Sequence, residues 1–215
     1  MLADASAHQQ LIDFFKSGTS LKYKKGEAVI RPGDEPRGIY YITSGFIKAY
    51  AITKYGEENT LIVRDTGDIF PLIWVFTGEH RDITYEAMAD STLLRVAKSD
   101  FLAFLKQNEH VIAAILDMSI EAYRLHSERV MNLEYRTVKE RIAMFLLTHA
   151  ERFGKKSRGG ITIDAPIRRH DIASSINASR ESTSRELSAL AKKGYVNLNG
   201  PGIEVCEIEK LKEFL

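Results

Sequence analysis

The spacing of apolar residues changes once along this chain, near residue 99, and that change limits the fold more than any single motif does. Before it, from about Leu21 to Val96, short apolar and β-branched runs recur: GIYYITSG, FIKAYAIT, NTLIVRD, DITYEAMA and TLLRVA. Turn-forming pieces lie between them, RPGDEPRG, KYGEEN and DTGD. Several short strands at regular spacing predict an antiparallel β-barrel or jelly roll rather than an α/β fold. Beyond residue 99, Asp100 to Phe153 contains neither Pro nor Gly, and its apolar residues fall at helical spacing.

Within the helical stretch a seam runs through Ile112, Leu116, Ser119, Tyr123, His126, Val130 and Leu133, in alternating steps of four and three. An apolar seam kept over this length predicts pairing with a second copy of the chain, a homodimer. The alternative is an amphipathic helix packed on its own domain. Ser119 and His126 place polar groups on the seam, which lowers stability but can set register.

Composition removes several classes. With 215 residues, 44% hydrophobic and 27% charged, the chain is an ordinary globular protein long enough for one large or two small domains. No apolar run approaches ~18 residues, so no membrane span is expected. The opening MLADASAHQQLIDFF lacks the basic and apolar regions of a secretory signal. The single cysteine, Cys206, allows no internal disulfide and fits a reducing cytoplasm, the expected location. Charge is uneven: Arg152 to Lys193 holds ten basic residues against four acidic ones, a local +6, while the remainder sums to −5. One end of the chain therefore suits an anionic partner.

That end carries the segment APIRRHDIASSINASRESTSRELSALAKKG. Pro166 precedes a first helix with Ile172 and Ala173 facing inward. Ile176, Asn177 and Ala178 form a tight turn, with Asn177 where a left-handed residue is needed. Ser179 is an N-cap, Glu181 complements the dipole in the first turn, and Gly194 ends the second helix. Two short helices joined by such a turn predict a helix-turn-helix. At ~100° per residue, Thr183, Leu187 and Leu190 fall on one side of the second helix. Arg180, Glu181, Ser184, Arg185 and Ser188 fall on the other. Arginine can pair bidentately with guanine and glutamate can accept from cytosine, so this face can read bases in the major groove of double-stranded DNA. Arg168, Arg169, Ser179, Ser188, Lys192 and Lys193 are candidates for the phosphate backbone. The competing reading is a solvated helix with Glu181 and Arg185 as an ordinary i,i+4 pair. Downstream, GYVNLNGPGIEVCEI reads as two strands around Asn199-Gly200, a hairpin signal.

Taken together, these motifs resemble the Crp/Fnr family of bacterial transcription regulators from about residue 20 to 215. The helix-turn-helix of that family docks its second helix in the major groove. KKGEAVIRPGDEPRGIYYITSGFIKAY is similar to the opening of the family's cyclic-nucleotide-binding-type barrel, and GEENTLIVRDTGDIF to the strand and turn entering its effector pocket. SERVMNLEYRTVKERIAMFLL resembles the end of the dimer helix, the hinge and the next helix. SRESTSREL matches the recognition helix, and the hairpin after it the wing. The resemblance implies an α+β fold: an N-terminal antiparallel jelly roll (1–108), a dimerisation helix and hinge (109–136) and a C-terminal winged helix-turn-helix (137–215). It implies base contacts by Arg180, Glu181, Ser184 and Arg185. The order Glu181, Ser184, Arg185 is similar to the Fnr branch, giving a near-palindrome of the type TTGAT-N4-ATCAA. Thr183 stands where the family usually has Val or Ile. RNA polymerase is an expected partner, with ERFGKKSRGG as the loop that meets it in relatives.

The sensor region departs from the family. Pro71-Leu72-Ile73 stands where cyclic-AMP-binding members have Gly-Glu-Leu, so the ribose-binding carboxylate is missing. Arg81 matches the cassette arginine, but Asp82 follows it and sets a negative charge where a phosphate needs donors. Pro71 also lacks an N–H. His126-Ser127 stands where Crp has Thr-Ser. The expected effector is therefore not cyclic AMP, and its identity is unknown. The candidate pocket comprises Pro71, Leu72, Ile73, Trp74, Arg81, Asp82, Tyr123, His126 and Ser127, with Leu72 to Phe76 as an apolar lining or simply packed core. One cysteine cannot hold the Fnr iron–sulfur cluster. The six histidines show no metal-ligand spacing, so no metal or cofactor is expected, although haem ligation through His80 or His126 stays open.

The expected function is a dimeric, sequence-specific regulator, not an enzyme, controlled by a small-molecule effector. The alternatives are a constitutive DNA-binding regulator without effector and a cupin-type metal enzyme. The latter needs a His-x-His pair on a barrel that holds only His80.

Overall fold

A computed structural model describes residues 3–200 and 202–215. The chain divides into two compact units. One comprises residues through Ile52 together with Leu61–Leu125; the other comprises Thr53–Thr60 and His126–Leu215.

The first unit begins with a helix outside the segments expected from sequence, α1 (Ala5–Lys16). Asp4 caps it, its carboxylate accepting from the Ala7 N–H at 2.8 Å. Ala7, Leu11 and Phe15, spaced by four, are its buried stripe. The strands follow as β1 (Thr19–Tyr23), β2 (Ala28–Ile30), β3 (Ile39–Ser44), β4 (Ile47–Ile52), β5 (Glu58–Arg64) and β6 (Ile69–Phe70). After the short helix α2 (Leu72–Thr77) come β7 (Thr84–Ala87) and β8 (Ser91–Val96). They form two four-stranded sheets, ordered β1-β8-β3-β6 and β2-β7-β4-β5, with antiparallel pairing. This is the expected β architecture.

Between the sheets, Ile30, Ile42, Ile47, Phe70, Ala87 and Leu93 make one core. Phe70 stacks with Tyr40 on one side (centroids 5.3 Å) and with Tyr85 on the other (4.8 Å). A second core joins Phe15 and Leu11 to Phe101 and Leu105 of α3 (Lys98–Gln107), to Trp74 and Val75 of α2, and to Ala114 and Ile115. Ala114 and Ile115 begin α4 (Ile112–Tyr135), the long helix expected from the seam.

The expected helical stretch is interrupted twice, at residues 108–111 and again at 136–137. Thr137 starts α5 (Val138–Phe153) with a reciprocal cap: its hydroxyl accepts from the Glu140 N–H, and Glu140 accepts from the Thr137 N–H. Then come β9 (Gly154–Lys156), β10 (Ile161–Ile163), α6 (Arg169–Ser175), α7 (Arg180–Lys192), β11 (Val196–Asn197), β12 (Glu204–Val205) and α8 (Ile208–Lys212). The four strands form a sheet ordered β11-β12-β10-β9. Asn197 pairs with Glu204, so Asn199-Gly200 sits in a loop longer than a two-residue hairpin turn. Buried Ile142, Leu146, Ile172, Leu187, Leu190, Val205 and Leu211 supply the core of this winged helix-turn-helix.

Candidate nucleic-acid interface and sensor recess

The turn between α6 and α7 places the candidate DNA-reading face. Asp171 steadies the start of α6, its carboxylate accepting from the Arg168 N–H at 2.8 Å. Asn177 has φ 50, the only left-handed residue other than glycine among those described. Its neighbour Ala178 closes the turn, donating to the Ala173 carbonyl at 3.0 Å. Ser179 caps α7, its hydroxyl accepting from the Ser182 N–H at 3.1 Å, and Gly194 follows the last turn at φ 75.

The faces of α7 separate as the spacing requires. Thr183, Leu187 and Leu190 are buried, at 0%, 0% and 1% exposure. Arg180, Glu181 and Arg185 are exposed, and Ser184 and Ser188 are half-buried beside them. Arg185 pairs with the adjacent Glu186 at 3.6 Å rather than with Glu181. Among the described residues neither Arg180 nor Glu181 enters an ion pair, so the simple i,i+4 reading of this face loses its basis. Arg168 and Arg169 are exposed at the start of α6, Ser179 at the cap, and Lys192 and Lys193 at the end of α7. Donors and acceptors near a helix N-terminus, with cations flanking them, form a surface suited to base edges and phosphates.

Two arginines outside the expected set hold this turn. Arg141 donates to the carbonyls of Leu133 (2.7 Å), Arg136 (2.9 Å) and Ile176 (3.2 Å). Arg129 donates to the Ser175 carbonyl at 3.2 Å and to Asn59 Oδ1 at 2.5 Å. Both satisfy acceptors left open where a helix ends. Nothing in the local sequence pattern marks their bonds to Asn59, Ser175 and Ile176, because those partners are distant in the chain. Glu204 joins the two hairpins of the sheet, accepting from Ser157 and Asn197, and these bonds hold its carboxyl below the usual range.

The candidate effector residues divide. Pro71, Ile73, Trp74 and Arg81 line one narrow recess of about 30 Å³, shared with His80 and Tyr85. That is room for roughly two water molecules. Trp74 belongs largely to the core, with Lys98 above its ring at 4.6 Å, and Leu72 packs against the same cluster. Asp82 is exposed. Tyr123, exposed on α4, lies in the first unit, whereas exposed His126 and half-buried Ser127 belong to the second. Among the described residues, no three His, Cys, Asp or Glu side chains gather as a metal site, and no helix is long and apolar enough to cross a membrane.

Comparison with known proteins bears on both halves. A family model described as a cyclic nucleotide-binding domain matches residues 20–108, and one described as a Crp-like helix-turn-helix domain matches residues 140–214. The cyclic AMP receptor protein of Thermus thermophilus is 30% identical over 195 residues, covering 89% of this chain and 85% of that protein. Among solved structures, a CooA mutant from Carboxydothermus hydrogenoformans superposes with a TM-score of 0.79 at 22% identity, over 94% of this chain and 89% of that one. FixK2 from Bradyrhizobium japonicum gives 0.78 at 23% identity, over 92% and 96%.

Proposed function

From the premise that the chain belongs to the Crp/Fnr family of DNA-binding transcription regulators, we propose that it reads a near-palindrome of the type TTGAT-N4-ATCAA as a homodimer. One observation carries this reading: Arg180, Glu181, Ser184 and Arg185 share the outward face of α7, opposite buried Thr183, Leu187 and Leu190. Arg185 and Arg180 supply bidentate donors for guanine, Glu181 an acceptor for cytosine N4 and Ser184 an adaptable hydroxyl. Arg168, Arg169, Ser179, Ser188, Lys192 and Lys193 hold phosphates. Pairing through α4 sets the two recognition helices about one helical turn, ~34 Å, apart. Exposed Ile112, Leu116, Tyr123 and Val130 on that helix support the pairing.

In this reading residues 1–108 sense, 109–136 pair and transmit, and 137–215 bind DNA. The protein works in the cytoplasm as a regulator rather than an enzyme, and the segment ERFGKKSRGG (151–160) meets RNA polymerase. The effector is a small molecule other than cyclic AMP. Pro71 offers a phosphate no N–H, Leu72 offers a ribose no carboxylate, and Asp82 adds a negative charge. An effector can act only by binding two states of the protein unequally.

A second reading, constitutive DNA binding without an effector, is favoured by the rings of Tyr40, Phe70 and Tyr85 that fill the space between the sheets.

Gel retardation on TTGAT-N4-ATCAA and on a scrambled duplex, at moderate and raised salt, tests the main reading. The expected result is preference for the palindrome that persists as salt rises. Equal affinity for both duplexes would end it. A thermal-shift screen of cyclic nucleotides, 2-oxoglutarate, haem and aromatic acids separates the two readings of the sensor.

A further inference from the structure

Residues 58–60, at the start of β5, belong to the unit that carries the helix-turn-helix. Successive side chains on a strand point to opposite faces, and here both faces are engaged. Glu58 and Thr60 share a face directed at α6. Glu58 Oε2 lies 3.7 Å from His170 Nε2, and the buried Thr60 and Ser174 hydroxyls meet at 2.7 Å. His170 and Ser174 are four apart, one above the other on the helix. Asn59 takes the other face, where its Oδ1 accepts from Arg129 Nη2 at 2.5 Å.

Arg129 makes its second bond, through Nε, to the carbonyl of Ser175, the last residue of α6. Two residues later comes Asn177 in its left-handed conformation, and two after that Ser179, the cap of α7. The position of the Ser175 carbonyl therefore sets where and in what direction the recognition helix begins. Arg141 holds the neighbouring Ile176 carbonyl, but its other bonds end on Leu133 and Arg136. Of these two arginines, Arg129 is the one that ties the turn to residues 58–60. Apolar contacts would pack these surfaces equally well. A hydroxyl pair and a charge-assisted hydrogen bond instead fix one geometry, because both are directional.

We propose that Arg129 is a positioning residue for DNA reading: anchored by Asn59, it fixes the α6–α7 turn and with it the angle of the recognition face. The inference rests on the reading that α7 contacts DNA, and it predicts what a change near β5 does to affinity.

The test uses the full chain with Asn59→Ala, Arg129→Gln and the conservative Asn59→Asp, which keeps the acceptor oxygen. Three quantities are measured: the denaturant midpoint, amide exchange at Ala178, and affinity for palindromic and scrambled duplexes by fluorescence anisotropy. Asn59→Ala and Arg129→Gln are expected to speed exchange at Ala178 and to weaken palindrome binding, each roughly tenfold, the scale of one hydrogen bond to a charged group. Asn59→Ala leaves the scrambled duplex unaffected, since that binding is set by phosphate charge, and Asn59→Asp restores wild-type values. Unchanged exchange at Ala178 in Asn59→Ala would overturn the proposal. So would faster exchange with unchanged palindrome affinity, or an equal loss on both duplexes that follows the denaturant midpoint. A wild-type protein without preference for the palindrome would sink the DNA-reading assignment instead. Exchange at Ala178, measured without DNA, still decides whether Asn59 and Arg129 fix the turn.

Discussion

His149 lies face to face on Phe145, with ring centroids 3.8 Å apart and 19° between the planes, and its Nδ1 donates to the Phe145 carbonyl at 2.8 Å. Phe153 closes the imidazole edge at 5.5 Å. Burial holds the His149 pKa down from 6.5 to about 4, with neighbouring Arg152 adding to the effect.

In the unfolded chain His149 takes a proton near pH 6.5, but in the folded chain it does so only near pH 4. Between those values the unfolded state binds more protons, so stability falls as pH drops. The expected loss from this residue is at most about 3 kcal/mol across that window. Urea denaturation of the wild type and of His149→Phe at several pH values checks it. The variant should show a flatter profile between pH 6.5 and 4; parallel profiles would refute the assignment.

Thr183 presents an opposite problem. Its hydroxyl is buried at 0% exposure and, among the described residues, has no hydrogen-bond partner. Thr183→Val removes that polar atom at nearly constant volume and is expected to stabilise the protein by about 1 kcal/mol. Palindrome preference should not change, since the residue faces away from Arg180 and Arg185. A lower denaturant midpoint for the valine variant would show that the hydroxyl is satisfied after all.

Arg185 and Lys192 should differ in kind. Arg185→Ala is expected to cost ~1–3 kcal/mol per half-site and to relax discrimination at one base pair, the magnitude of a bidentate contact. Lys192→Ala should weaken all duplexes alike and lower the salt slope by about one. Binding titrations at three salt concentrations on single-base variants of the palindrome separate the two. A reversal of the phenotypes would mean the faces of α7 are assigned wrongly.

The α4 seam makes a prediction about assembly. Leu116 is 45% exposed and Tyr123 74% exposed on a helix that is otherwise part of the fold. Leu116→Glu should raise the dimer dissociation constant roughly 100-fold or more, because two leucine side chains per dimer lose their burial. Sedimentation equilibrium reads this directly, and an unchanged mass distribution would place the pairing surface elsewhere.

Local chemistry explains which parts of this fold are legible in the sequence. Asn177 and Ser179 carry the turn and the cap in their own backbone preferences, and the spacing of Thr183, Leu187 and Leu190 declares the buried side of α7. The alternating runs of β3, β4 and β8 likewise announce themselves. α1 lies outside the expected segments although Asp4 and the stripe of Ala7, Leu11 and Phe15 are ordinary helix signals, because only the apolar run LIDFF stands out there. Thr137 and Glu140 hold a capping box whose spacing marks the break before α5. The contacts of Asn59 with Arg129 and of Thr60 with Ser174 are out of reach. They join residues 70 and 114 positions apart, and no periodicity records such a meeting. The departure of Pro71-Leu72-Ile73 from a nucleotide cassette is visible in the residue identities, but those alone do not say that Tyr85 stacks on Phe70.

That stack changes what an incoming molecule must do. Phe70 lies between Tyr40 and Tyr85 inside the barrel, and Tyr85 is also a wall of the recess beside Pro71 and Arg81. The protein's own rings thus occupy the room as an internal competitor, present at every site and never diluted. For a molecule that enters between the sheets against Phe70, Tyr85 has to move aside first, and the apparent affinity is then reduced by the fraction of molecules with that ring displaced. Replacing the ring with a smaller side chain would therefore act as though the competitor had been removed, opening the barrel to molecules that the wild type excludes.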